Sequence, residues 1–395
     1  MSGSESSDET LNISDVKSLR KQGRRGVFMF RGPFVYTLSR GAARARVSAQ
    51  NSMDNFERYS RQILFEGIGR EGQDHLSQSS AVIIGCGALG AVQAETLARA
   101  GVGRLTVVDR DFVEESNLQR QIMFEESDAI ERLPKAIAAA NRLRRVNLGI
   151  TIDPVVADVN FENIEDIIRG ADVVLDGADN FETRFLINDA AVKLAIPWVY
   201  GAAVGSYGVT MTVLPGASPC LRCVMDVMPD PGSADTCDTA GVIMPAVSIV
   251  ASIQAAEAIK IMTGNRDKLH HSIFGIDVWN FQVNRVDLSA MTDRSGCPAC
   301  GLGQYEYLRG GRRQLATTLC GRDAVQIAGA HGSELDLASL SRRLRSLGEV
   351  AFNEFLLRFK VDGYDMTVFR DARSIIRGTS DPVVARNLYA RYIGV

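Results

Sequence analysis

Nowhere in the 395 residues is there an uninterrupted apolar run of 18, so no membrane-spanning helix is expected. The opening stretch MSGSESSDET is polar and acidic and is not read as a signal peptide. Neither sign of charge dominates. Forty-four Lys+Arg against 47 Asp+Glu leave a net charge of −3, which gives no whole-chain support for a nucleic-acid partner. Histidine is scarce: His75, His270, His271 and His331 are all there are, and they are read as surface or packing residues. The body shows no internal repeat or low-complexity tract. Cysteines number seven, an odd count, spread from Cys86 to Cys320. Without an export signal, a reducing cytoplasm is the expected location, and metal or catalytic roles then outrank disulfides. What is present suits a globular chain: 46% hydrophobic and 23% charged residues match ordinary folded proteins. At roughly 150 residues per domain, the length predicts two or three domains.

Acidic residues are also missing from one stretch, Val16 to Ser52. Residues 1–52 hold nine Lys/Arg and four Asp/Glu, a local charge of +5, and every basic residue follows Asp15. Residues 1–15 are Ser- and acid-rich and read as disordered; residues 16–52 show little periodicity. A flexible basic arm fits. So does a transit-like leader, although its amphipathic helix is missing. A third reading is a start of translation at Met53, where convincing order begins.

From there the pattern is strong. SSAVIIGCGALG (79–90) is an apolar run feeding a glycine loop, Gly85-x-Gly87-x-x-Gly90. The helical stretch AVQAETLARAG stops at Gly101, and RLTVVD (104–109) reads as a second buried strand. That is one βαβ unit. ADVVLDGAD (171–179), PWVYGAAVG (197–205) and YGVTMTVL (207–214) read as further strands, and 241–264 as a long helix ended by Gly264. The expected fold is α/β, a Rossmann-like doubly wound, mainly parallel sheet. Residues 53–303 form this nucleotide-binding domain, and 304–395 a small α+β module. In the module, TTLCGRDAVQI reads as one strand. LDLASLSRRLRSLG reads as an amphipathic helix stopping at Gly348. EFLLRFKV and YDMTVFR form a hairpin about Asp362-Gly363. SIIRG adds a strand, and a last helix follows Asp381-Pro382.

Glycines permit a tight turn and close backbone approach, and the following helix N-terminus offers free N–H groups to phosphate. Asp109 lies 19 residues beyond Gly90, where a carboxylate can take ribose hydroxyls. The loop alone does not choose NAD over ATP. The next residues do: after Asp111, Asn117, Gln119, Arg120, Gln121 and then Lys135 supply the cations and amides that a departing triphosphate needs.

RYSRQ (58–62), GCGALG (85–90), DRDFVEESNLQRQ (109–121), LPK (133–135), DGADNFETR (176–184) and the paired Cys-x-x-Cys together resemble the MoeB/ThiF family of adenylyltransferases, relatives of the ubiquitin-activating enzymes. The similarity covers about 53–302. It implies ATP and Mg²⁺, adenylation of the C-terminal glycine of a small ubiquitin-like sulfur carrier ending Gly-Gly, and release of pyrophosphate, for thiamine or molybdopterin sulfur chemistry. By the same resemblance Asp109 matches the ribose ligand, Asn117, Arg120 and Lys135 the triphosphate ligands, and Asp179 the acid serving Mg²⁺. Arg61 matches an arginine that reaches into a partner subunit's ATP site, which implies a homodimer. An ionised glycine carboxylate attacks the α-phosphorus without a general base, so no Ser/His/Asp set is required. Competing readings are an adenylating tRNA-modification dehydratase of the same fold, a non-catalytic nucleotide-binding protein and, further off, an NAD oxidoreductase.

Cys220-x-x-Cys223 and Cys297-x-x-Cys300 can close a tetrahedral Cys₄ site for Zn²⁺, with no open position and hence a structural role. Cys237 occupies the family's position for a thiol facing the active site and is the candidate acceptor of the activated carrier. Cys86 and Cys320 are read as inert. The tail resembles the short extension of some bacterial ThiF-type proteins. It lacks a rhodanese-type sulfur loop and is expected to dock the carrier or a separate sulfur donor.

Overall fold

Apolar runs become the buried strands of an eight-stranded sheet in the computed structural model, which describes residues 57–229, 235–237, 239–310, 316–319, 323–327 and 335–394. The elements in order are α1 (Ser60–Ile63), α2 (Gly69–Gln78), β1 (Ser80–Ile84), α3 (Ala88–Ala100), β2 (Arg104–Val108), α4 (Glu126–Glu131), α5 (Lys135–Val146), β3 (Thr151–Val155), α6 (Ile164–Ile168) and β4 (Val173–Asp176). Then come α7 (Phe181–Lys193), β5 (Trp198–Val204), β6 (Tyr207–Val213), α8 (Leu221–Val224), α9 (Met244–Met262), β7 (Ser272–Asp277) and β8 (Gln282–Asp287). The expected leader, the start at Met53 and Cys320 lie outside the described residues.

Strand order is β3-β2-β1-β4-β5-β6-β7-β8. Neighbours from β3 to β5 are parallel, and those from β5 to β8 antiparallel. The chain winds outward from β1 through β2 to β3, then restarts at β4 on the other side of β1. That reversal opens a crevice at the carboxyl ends of β1 and β4, where open α/β sheets bind ligands. Within β1, Ile83 faces one core with Leu76, Leu97 and Leu143, while Val82 and Ile84 face the other with Phe185 and Trp198. Both faces of a parallel sheet are covered, so its strands read as unbroken apolar runs. Gly101 ends α3 in the left-handed conformation, φ 85°, as a helix-stopping glycine should.

By length and composition alone α9 would pass as a membrane span, as a buried core helix also can, although Ser248, Ser252, Gln254, Glu257 and Lys260 interrupt its apolar run. Half of its most apolar window is buried inside the protein. Ala246, Val247, Val250, Ala251, Ala255 and Ala258 are all buried, and small side chains let it lie close on α3 and β5.

The second sheet is antiparallel: β9 (Ala316–Leu319), β10 (Ala324–Ile327), β11 (Glu349–Phe352), β12 (Leu356–Val361), β13 (Tyr364–Phe369) and β14 (Ser374–Arg377), with helices α10 (Leu337–Leu344) and α11 (Pro382–Tyr392). Its order is β11-β12-β13-β14-β10-β9. The stretch 317–327 is two paired strands, not the expected one. The hairpin stands as expected, with Asp362 and Gly363 both at positive φ, 50° and 84°, the requirement of a two-residue turn matched to strand twist. Strands β3, β7, β8 and β11 are additions; β8 is exposed along its whole length, so no buried run announced it.

Candidate functional site

The crevice is built on backbone contacts between glycines. A Cβ on Gly90 would lie 1.9 Å from the Gly85 carbonyl oxygen, and one on Gly85, at φ 91°, would lie 2.5 Å from that of Gly177. These residues lock the loop after β1 against the end of β4. Gly87 differs. A Cβ there would meet nothing closer than the Gln121 amide nitrogen, at 3.9 Å, so the open space belongs to whatever the crevice holds. Gln121 is buried, with its Oε1 lacking any partner. An open glycine cradle beside an unsatisfied buried amide fits a polar ligand.

Asp109 stands at the end of β2, where its carboxylate accepts the N–H of Cys86 at 2.6 Å and of Asp111 at 2.7 Å. Burial pushes this carboxyl up, and the Lys135 ammonium opposes the shift. Lys135 is the first residue of α5, is 5% exposed, and holds Nζ 3.5 Å from Asp111 Oδ2. Asn117 is buried in a single 3₁₀ turn, its Oδ1 accepting the Glu114 N–H at 3.3 Å. Arg120 donates to the Ser116 carbonyl at 2.9 Å and keeps the rest of its guanidinium for other partners. Across the crevice, Asp179 follows β4 with an exposed side chain that accepts from Asn180 at 3.0 Å. Desolvation in the crevice pushes its carboxyl up, but the Arg110 guanidinium, the Asn180 amide and the Lys135 ammonium together hold it below the usual range. An ionised, accessible carboxylate opposite a lysine and an arginine suits Mg²⁺, which takes one or two carboxylates together with substrate phosphates.

Arg61 is not part of this crevice. It sits exposed on α1, whose neighbour Tyr59 packs under Gly101, at the far end of α3. Thirteen residues of helix separate that end from the glycine loop, about 20 Å at 1.5 Å per residue. Within one chain this arginine cannot serve the site.

The four cysteines do converge. Cys220 caps α8 at its N-terminus, and Cys297 and Cys300 lie in the loop beyond β8. Their Sγ atoms are 3.8 Å (Cys220–Cys223), 3.6 Å (Cys220–Cys297) and 3.4 Å (Cys223–Cys300) apart, and all four lie within 4.8 Å of one another. Tetrahedral zinc with Zn–S near 2.3 Å sets S···S at about 3.8 Å, so the donor set and spacing fit Zn²⁺. Among the described residues this is the single such cluster.

Cys237 is half-buried, its Sγ 3.2 Å from the Ala203 carbonyl near the end of β5. That is the sheet edge onto which the loops after β1 and β4 open. Cys86, inside the glycine loop, is fully buried and its thiol is pushed far up by burial; it is no nucleophile. Sequence reasoning missed Arg110, which bridges Asp158 at 2.9 Å and Asp111 at 3.9 Å. It also missed the module's side chains against the 109–117 segment. No local spacing signals either.

A model of the ThiF family matches residues 59–299. Over 338 residues, 85% of this chain and 99% of the other, the chain is 46% identical to the sulfur carrier protein ThiS adenylyltransferase of Bacillus subtilis (strain 168). It is 39% identical to the SAMP-activating enzyme E1 of Haloferax volcanii, over 64% of this chain and 91% of that one. A crystal structure of E. coli MccB with MccA-N7isoASN shares the fold, with a TM-score of 0.55 at 24% identity, over 62% of this chain and 75% of that one.

Proposed function

The chain belongs to the ThiF family and is an adenylyltransferase; from that premise we propose that it uses ATP and Mg²⁺ to adenylate the C-terminal glycine of a small ubiquitin-like sulfur carrier. The observation that carries this is the crevice itself. Gly87 leaves backbone open beside the unsatisfied buried amide of Gln121, Asn117 and Lys135 line one crevice, and the Lys135 ammonium acts on both Asp109 and Asp179; to this set we assign Asp109 as the ribose ligand and Arg120 as a further phosphate ligand. The carrier's carboxylate is ionised at neutral pH and attacks the α-phosphorus. The P–O bond to the β-phosphate breaks, and pyrophosphate leaves. Arg120 and Lys135 offset the charge that grows on the leaving group, and Asp179 would hold Mg²⁺, which would supply Lewis-acid stabilisation. No side chain need take a proton. The alignment with the ThiS adenylyltransferase runs well past the family model's span, which favours a ThiS-like carrier over a MoaD-like one. We place the enzyme in the cytoplasm, working as a homodimer with a separate sulfur donor protein. ATP–pyrophosphate exchange tests the reading. Exchange dependent on a ThiS-like carrier is expected; no exchange with any Gly-Gly carrier overturns it.

Cys237→Ala should keep that exchange but form no covalent adduct with the carrier, read by intact-protein mass spectrometry. Loss of exchange would move the thiol to an earlier step. Arg61→Ala and Lys135→Ala should each be inactive as pure proteins. Mixed and re-associated, one site in each mixed dimer has both residues intact, so about a quarter of wild-type exchange should return if two-fold symmetric dimers form at random. No recovery would remove Arg61 from the partner's site.

A further inference from the structure

The segment between β2 and Arg120 carries three of the proposed ATP ligands, yet most of it belongs to neither sheet nor long helix. Its conformation is held from outside, by the antiparallel module. Phe112, 4% exposed, is buried among Ala324, Leu356, Phe369 and Ile375. Its ring centroid lies 6.3 Å from that of Phe369. Arg373, 2% exposed, lies over the Phe369 ring and donates from Nη2 to the Arg110 carbonyl. Gln326 donates to Asp158 at 3.1 Å, and the other oxygen of that carboxylate binds Arg110. Arg377, the last residue of β14, pairs with the Glu114 carboxylate. Glu114 in turn caps the short turn carrying Asn117: its side chain accepts the Asn117 N–H while Asn117 accepts the Glu114 N–H. Asn117, Lys135 and Arg377 line one crevice between body and module.

We propose that the antiparallel module is a positioning clamp for the nucleotide segment. Arg377 acts through Glu114, and the apolar socket acts through Phe112. Together they hold Asp109, Asn117 and Arg120 in their ligand-facing geometry. The physical gain is preorganisation. A segment already ordered by the module loses less freedom when the nucleotide arrives, so affinity rises with no new contact to the ligand. The module lies outside the family model's span, so this adds a second role to a segment otherwise read as a docking element. The proposal rests on the ATP reading above.

The test uses full-length protein and ATP itself as probe, by calorimetric titration with Mg²⁺ and by the ATP dependence of carrier-stimulated exchange. Arg377→Ala should raise both Kd and KM for ATP about tenfold, while the rate at saturating ATP changes less, since lost preorganisation weakens binding of nucleotide in the ground state and the transition state alike. Arg377→Lys, which keeps the ion pair, should recover part of the loss. Glu114→Gln should raise KM as well, and Arg377→Ala placed on Glu114→Gln should add little, because the two act in series. Melting temperature, measured on each variant, separates this from unfolding. Arg377→Ala within twofold of wild type, or losses that simply add in the double variant, overturn the clamp alone. A wild-type chain that binds no ATP overturns the ATP reading, and the clamp with it.

Discussion

Asp179→Asn should lower carrier-dependent exchange by about 10²- to 10³-fold, the usual cost of removing one preorganised charge-stabilising group from a transition state. The replacement is nearly isosteric, and the side chain is exposed, so the melting temperature should stay within about a degree or two, as for surface changes generally. The loss should sit in the rate at saturating ATP more than in KM. Mg²⁺ held by Asp179 is asked to stabilise charge that appears only as pyrophosphate departs, and interactions confined to the transition state act on the rate. Raising Mg²⁺ should recover part of the activity. Against desolvation, Arg110 is the strongest of the groups that hold this carboxyl low, with the Asn180 amide and Lys135 adding to it. Arg110→Ala should therefore shift the acid limb of the wild-type pH profile upward, because the Asp179 carboxyl would then protonate nearer neutrality. Full exchange by Asp179→Asn at limiting Mg²⁺ would remove this residue from the mechanism.

Removing zinc should have the largest effect on stability. Elemental analysis should find one zinc per chain, and Cys297→Ser should bind none stably. Structural zinc supplies roughly 10–16 kcal/mol in zinc-finger peptides that are unfolded without it. Here the loss should be a fraction of that, because Cys220 is already seated in a formed core. It is fully buried, and the next N–H, that of Leu221, is bonded to Asn188 at 2.9 Å. A loss of several kcal/mol, at about 2–4 °C per kcal/mol for a domain of 150–250 residues, lowers the melting temperature by roughly ten degrees. The site joins the chain after β6 to the chain after β8, 77 residues apart at Cys220–Cys297. The antiparallel edge of the sheet should therefore loosen first, seen as faster amide exchange in β7 and β8. Zinc well below stoichiometry in native protein, or an unchanged melting temperature in Cys297→Ser, would falsify the structural role.

Which parts were readable in advance follows from how local their physics is. The glycine loop, Asp109 and the stop at Gly101 were legible because a tight turn, a capped helix and a buried parallel strand each impose their own short pattern. The four cysteines were legible because two Cys-x-x-Cys pairs have few other uses. Strand β8 was not, being an edge exposed on both faces with no apolar run to mark it. The split of 317–327 into two strands was missed as well, since apolar residues on both sides of the turn read as one stretch.

By itself the chain determined its fold class, the glycine loop at the end of β1 and the two cysteine pairs that converge, since each rests on residues whose spacing is set by one turn or one strand. Only the tertiary structure decided that Arg61 lies at the wrong end of α3 for its own chain's crevice. It alone showed that Arg110 ties Asp158 and Asp111 together, and that Arg373 and Arg377 reach residues 263 positions earlier. Such contacts depend on how two sheets pack. Packing is selected by the sum of many weak apolar contacts around Phe112 and Phe369, and no single stretch of sequence carries that sum.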